Sequence, residues 1–185
     1  MNAEANYRPP WIIGDQVTVV TRRFGGFSFA KVGKFFLTED CQANRRKVWQ
    51  GHFIDWNVRL RVLLPGAEKE SNTVYVVTVA DEIKYAGLTQ NAIEHRWGLT
   101  RKRSLELPHY GYSFFIWHSD VVDYAIQEAL GTRQGTNENL EAPEVEYWIC
   151  TNPYRLVDGK LVNQHREIEA TVISLEQPAW NTLGK

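Results

Sequence analysis

The sequence predicts an α+β fold, a small central antiparallel sheet flanked by helices and preceded by a β-rich amino-terminal extension. Three observations carry this. Residues 11 to 66 break into short, partly alternating apolar runs separated by glycines and charged turns, the pattern of half-buried strands. Two further runs, Val74 to Val79 and Ile83 to Gly87, flank an Asp81-Glu82 turn and read as a hairpin. Beyond Asn91, apolar residues recur three and four apart, the spacing of amphipathic helices.

Each element has its own justification. Gln16 to Thr21, Phe27 to Phe36 and Asn57 to Leu63 are the strands of the extension; in the last, Val58, Leu60 and Val62 share one face and Arg59 and Arg61 the other. Pro65 to Asn72, with Gly66 and three charged residues, marks the boundary between the extension and the hairpin. After the hairpin, Asn91 and Glu94 have the spacing of a capping box, so a helix begins there with Ile93 and Trp97 buried and Gly98 as its stop. Tyr112 to Trp117 is an aromatic strand, and Ser119 to Leu130 a helix that buries Val122, Ala125, Ile126 and Ala129. Gly131 to Pro143 is loop-like, Glu146 to Cys150 a further strand, Val157 to Lys160 a tight turn, and Gln164 to Leu175 a last helix lined by Ile168, Val172 and Leu175.

Composition narrows the class of protein. With 185 residues and 43% apolar content, the chain can bury a real core. No apolar run reaches the ~20 residues that cross a bilayer, Met1 to Pro10 is polar, and the expected location is cytoplasmic, with no membrane partner. Cys41 and Cys150 stand far apart with no ligand-spaced neighbour and read as reduced, structural thiols. The formal net charge is −1, but residues 22–103 hold 15 Lys or Arg against 8 acids, and residues 104–185 hold 5 against 12. An anion-binding half joined to a metal-binding or solubilising half has this asymmetry, as do two halves that neutralise each other across a core.

The hairpin and the carboxyl end hold the residues with a chemical message. Thr73-Val74-Tyr75 is followed ten residues after Tyr75 by Tyr85-Ala86-Gly87, with Thr89 and Asn91 beyond it and Arg96 eleven residues after Tyr85. Near the end stand Glu169, Val172, Ile173, Pro178 and Asn181, with the later four at three, four, nine and twelve places from the glutamate. In this order and spacing, residues 73–181 resemble the GIY-YIG nuclease family. Thr73 replaces the first signature glycine, Ala86 replaces an isoleucine, and Thr100 stands where many members have a histidine.

The resemblance implies a metal-dependent DNA endonuclease that leaves 5′-phosphate and 3′-hydroxyl ends. It divides the chain into a DNA-contacting extension, residues 1–70, and a catalytic module, residues 71–185, with an insertion at about 118–162. Tyr75 is then the candidate general base or water positioner, its phenol activated by cations such as Lys84 and Arg96, since a reference pKa of about 10 makes it a poor base alone. Tyr85 would bond the water or a phosphate oxygen, and Arg96 would hold the scissile phosphate. Glu169 is the candidate ligand for Mg²⁺ (or Mn²⁺), which is content with one or two carboxylates plus waters and substrate oxygens. Asn181 would brace Glu169 or contact backbone. Taken singly, each has an ordinary alternative: strand aromatics, a solvated arginine, a salt-bridged glutamate, a chain-end turn.

The expected partner is double-stranded DNA. Its phosphates would meet Lys84 and the basic clusters Arg22-Arg23, Arg45-Arg46-Lys47 and Arg101-Lys102-Arg103, interleaved with aromatic residues. A freestanding restriction-type enzyme that breaks both strands needs two active sites, so a homodimer is expected. The alternatives are a monomeric repair, phage or mobile-element nickase, and a module that binds DNA, modified or not, without cutting it.

Overall fold

The computed structural model describes residues 19–37, 47–49, 52–54, 58–62, 64, 66–96, 113–115, 121–130 and 144–182. Their strands are β1 (Thr21–Phe24), β2 (Phe27–Leu37), β3 (Lys47–Trp49), β4 (His52–Ile54), β5 (Val58–Val62), β6 (Thr73–Val79), β7 (Glu82–Thr89), β8 (Ser113–Phe115), β9 (Val145–Cys150), β10 (Tyr154–Val157) and β11 (Lys160–Asn163). The helices are α1 (Ile93–Arg96), α2 (Val121–Leu130) and α3 (His165–Glu176), with 3-10 turns at Ala67–Lys69 and Ala179–Thr182.

Seven strands form one antiparallel sheet in the order β7-β6-β9-β2-β5-β8, with β1 on β2; β3-β4 and β10-β11 are separate two-stranded ribbons. The architecture is α+β, as expected, with a larger sheet than expected. The residue-70 boundary falls within this sheet, because β2 of the amino-terminal stretch pairs with both β5 and β9. Similarly, β9 lies inside the stretch 118–162 yet occupies the middle of the sheet, joining β2 to β6. Its six residues are all buried, as a strand covered on both faces requires.

Alternation assigns the two layers. One face buries Ala30, Val32, Phe35, Leu60, Tyr75, Val77, Tyr147 and Ile149 with Ile93 of α1 and Val122, Ile126 and Leu130 of α2. The other buries Phe24, Phe29, Val74, Val76, Ala86, Trp148 and Cys150 under Ile168 and Val172 of α3. Fully burying a side chain of this size contributes ~1.5–3 kcal/mol, so the pair Ile168 and Val172 fixes α3 on the sheet. Leu175, expected on the same buried stripe, is 68% exposed, and beside it Glu176 Oε1 accepts the Gly25 N–H at 2.7 Å. A Cβ on Gly25 would lie 2.9 Å from the Val172 backbone, so the β1-β2 turn can touch α3 only as glycine.

Val157 to Lys160 forms the tight turn expected, and the β6-β7 turn is Ala80-Asp81, one residue earlier than the expected Asp81-Glu82. Ala80 and Asp81 take φ of 48° and 68°, and Asp158 and Gly159 take 47° and 76°, both central residues left-handed as in the two-residue hairpins that match strand twist. Trp148 Nε1 donates to Thr78 Oγ1 at 3.0 Å, Thr78 Oγ1 to Glu146 Oε2 at 3.2 Å, and Lys31 Nζ to Glu146 Oε1 at 2.7 Å. This network satisfies a carboxylate that is otherwise costly at its buried position. Cys150 is a free, buried thiol whose pKa burial pushes up to about 11, which makes it inert. Among the described residues no helix is long and apolar enough to cross a membrane. Cys41, Trp97, Gly98 and Thr100 lie outside the described residues.

Candidate active site

The hairpin β6-β7 places both phenols on one face through a defect in its register. Thr78 pairs with Ile83 but Val77 pairs with Tyr85, so Lys84 is an extra residue. Strict alternation from Ile83, which packs on the α3 side, would send Tyr85 the same way. The bulge reverses it, and Tyr85 packs with Tyr75 on the opposite face.

Tyr75 sits directly across from Gly87. A Cβ on Gly87 would meet Tyr85 Cε1 at 2.7 Å and both Cζ and the hydroxyl of Tyr75 at 2.9 Å. The glycine is therefore the space into which the two phenols lean. Ring centroids lie 5.9 Å apart for Tyr75 and Tyr85, and 5.3 Å apart for Tyr75 and Tyr147. Phe35 meets Tyr147 edge-on at 5.8 Å, so Tyr75 is locked from behind and is only 1% exposed.

Arg96 arrives from α1, which is anchored by buried Ile93 and by its N–H to the Glu70 carbonyl at 3.0 Å. Its Nε donates to the Tyr75 hydroxyl at 3.1 Å, with the guanidinium carbon 5.9 Å from that ring's centroid. Burial raises the Tyr75 pKa well above 10, the Arg96 charge opposes this, and Tyr85 and Tyr147 add to the rise. This corrects the expectation of a cation-activated phenolate: desolvation outweighs the nearby charge, and Tyr75 stays a neutral phenol. Lys84 is paired with Glu82 at 2.5 Å.

The other candidates reach the same strand from its open edge. Asn181 Oδ1 accepts the Ala86 N–H at 2.8 Å, and Asn181 Nδ2 donates to the Ala86 carbonyl at 2.6 Å. Asn181 thus completes the backbone bonding that a neighbouring strand would have supplied, which makes it a brace on backbone rather than on Glu169. Two residues on, the Leu88 N–H donates to the Glu169 carboxylate. Glu169 is half-buried, and burial raises its pKa despite that bond. Tyr75, Tyr85, Glu169 and Asn181 therefore belong to or touch residues 85–88, and Arg96 joins them through the Tyr75 hydroxyl.

Compared with family models, curated proteins and solved structures, the chain matches none. The GIY-YIG resemblance thus rests on the residues and their spacing alone.

The expected DNA contacts divide differently. Arg22 bonds the Asp81 carbonyl at 2.7 Å and pairs with its carboxylate at 3.6 Å, and Arg23 donates to the Gly26 carbonyl at 2.6 and 3.0 Å. Both serve the turns next to them. Lys47 lies on β3; Arg45, Arg46, Arg101, Lys102 and Arg103 lie outside the described residues. Sequence reasoning missed Tyr147, Gly87 as the seat of the phenols and the Leu88 N–H; the last two require the strand pairing to be known.

The metal expectation can be judged by its donor. Among the described residues no three His, Cys, Asp or Glu gather as a ligand cluster. A single half-buried carboxylate, with a raised pKa and one backbone donor, is an anion short of compensation. It fits Mg²⁺ or Mn²⁺, whose remaining positions water and phosphate oxygens can fill.

Proposed function

We propose that the chain is a metal-dependent DNA endonuclease of the GIY-YIG type, restriction-like and active as a homodimer. One observation carries the reading: residues spread from position 75 to position 181 gather around the four-residue segment 85–88, with phenols and guanidinium on one side and a half-buried carboxylate on its edge. A core built for packing alone has no need to put an arginine on a buried phenol of this hairpin and a half-buried carboxylate on the edge of the same strand.

The chemistry follows from the protonation states. Tyr75, neutral and buried, holds Arg96 in place through its hydroxyl, and Tyr85, partly exposed, supports the attacking water or a phosphate oxygen. Arg96 presents a planar guanidinium, the donor geometry suited to phosphate. Glu169 would hold the metal ion, which when bound supplies Lewis acidity toward the phosphate and the departing 3′-oxygen. Breaking that P–O bond leaves 5′-phosphate and 3′-hydroxyl ends.

Purified protein incubated with supercoiled plasmid and Mg²⁺ tests the proposal, with EDTA as the control. Linear product is the expected result. Nicked circles as the end product would assign a monomeric nickase, and retarded but intact plasmid would overturn hydrolysis in favour of a binding module.

A further inference from the structure

The ribbon β10-β11 is the part of the molecule for which the catalytic reading has no use. Among the described residues its two strands pair only with each other, and Leu156, Val157, Leu161 and Val162 are between 43% and 55% exposed. Short isolated ribbons are marginal, so this one depends on its base. There Asn163 Nδ2 donates to the Asn72 carbonyl at 2.8 Å, Gln164 N–H donates to the Pro153 carbonyl at 2.7 Å, and Asn163 Oδ1 accepts the His165 N–H at 2.8 Å.

The register gives the ribbon two unlike faces. Arg155 opposes Val162 and Val157 opposes Lys160, so these four share one face; Leu156 and Leu161 oppose each other on the other. The first face holds two exposed cations diagonally across two exposed valines. Arg166, also exposed, comes next at the start of α3. None of the three pairs with a carboxylate among the described residues, whereas Arg22, Lys31 and Lys84 all do. Against them the ribbon has one acid, Asp158 at its turn. The ribbon also runs straight into α3, and Glu169 lies four residues past His165, one helical turn or about 6 Å along the axis.

We infer that this ribbon is a DNA-docking element, lying in the major groove beside the cleavage site with its Arg155, Val157, Lys160 and Val162 face toward the duplex. A two-stranded ribbon fits that groove, which is about 12 Å wide. Arg155 and Lys160 take phosphates, while Val157 and Val162 meet sugars and thymine methyl groups. The inference rests on the nuclease reading only in naming DNA as the polyanion.

Fluorescence anisotropy of full-length protein with a labelled duplex of about 30 base pairs, in Ca²⁺ and a KCl series, tests it. R155A/K160A should weaken binding about tenfold or more, and should flatten the slope of log affinity against log salt by about 1.8 for two lost phosphates. V157S/V162S should weaken binding with the slope unchanged. All four positions are exposed, and circular dichroism confirms that the variants fold. Wild-type affinity and slope in R155A/K160A overturn the inference, as does a wild-type chain that does not bind duplex. A V157S/V162S change that splits a dimer in sedimentation and leaves DNA affinity intact also overturns it, assigning the ribbon to a second copy of the chain. The two proposals separate cleanly: cleaved plasmid with R155A/K160A binding at wild-type affinity and slope sinks only the ribbon, and intact plasmid with ribbon-dependent binding sinks only hydrolysis.

Discussion

Replacing Gly87 by Ala asks whether the site depends on phenols leaning over a bare strand position. The added Cβ would lie 2.7 Å from Tyr85 Cε1 and 2.9 Å from Tyr75 Cζ and hydroxyl, against ordinary contacts near ~3.5 Å and beyond. Tyr85 is partly exposed and can give way. Tyr75 cannot, being 1% exposed, stacked on Tyr147 and bonded to Arg96. Forcing a methyl into such a place costs ~1–3 kcal/mol, while removing a strand glycine returns ~0.5–1 kcal/mol. The net is a loss centred near ~1 kcal/mol and at most ~2.5 kcal/mol, the central value lowering Tm by about 2–4 °C for a chain of this size. The Tyr75 hydroxyl must shift by about half an ångström, and since ~1 Å of misplacement costs ~100-fold in rate, kcat for plasmid cleavage should fall roughly tenfold. Scanning calorimetry and single-turnover cleavage check both numbers. A G87A protein with wild-type Tm and kcat would refute the close approach, and lost stability with full kcat would refute the role of Tyr75.

Five further outcomes are expected. E169Q should abolish cleavage while duplex binding in Ca²⁺ persists; undiminished cutting would remove Glu169 from the site. The same variant should melt higher than wild type in EDTA at pH 7: the folded Glu169 pKa is raised, so folding favours the protonated acid and stability is lost as pH rises through that value, a loss Gln does not suffer. Y75F, which deletes only the hydroxyl that Arg96 holds, should lower turnover by about 100-fold or more with little change in DNA affinity, measured by single-turnover kinetics. N181A strips two bonds from the Ala86 backbone and should cost ~1–3 kcal/mol in denaturant unfolding; unchanged stability would mean the edge of β7 needs no brace. For pH, cleavage should fail on the acid side above the ordinary carboxylate range, where Glu169 takes up its proton, and because proton and metal compete for it, raising Mg²⁺ should move that limb to lower pH.

Much of the fold could be read locally. Phe27 to Phe36, Asn57 to Leu63, the Val74 to Gly87 hairpin and both long helices stand within a residue or two of where periodicity puts them, since burial of one face is written into the order of apolar residues. Leu175 escapes its stripe because periodicity says which side of a helix is apolar but not where the sheet beneath it ends. The Arg22-Arg23 cluster shows the same limit: these are cations in sequence, and in the structure turn carbonyls accept from both.

By itself the sequence determined the longer strands and helices and the residue types and spacing of the proposed site, because these depend on neighbours a few positions away; the short strands β1, β3, β4, β10 and β11 were not legible in it. Only the tertiary structure decided that Tyr85 turns toward Tyr75, through one surplus residue at Lys84, and that β9 rather than the aromatic strand lies beside β6. It alone brought Asn181 and Glu169 to the free edge at Ala86 and Leu88. Strand partners and the protonation of a buried phenol are set by groups distant in the chain, and a local pattern carries no record of which distant groups will meet.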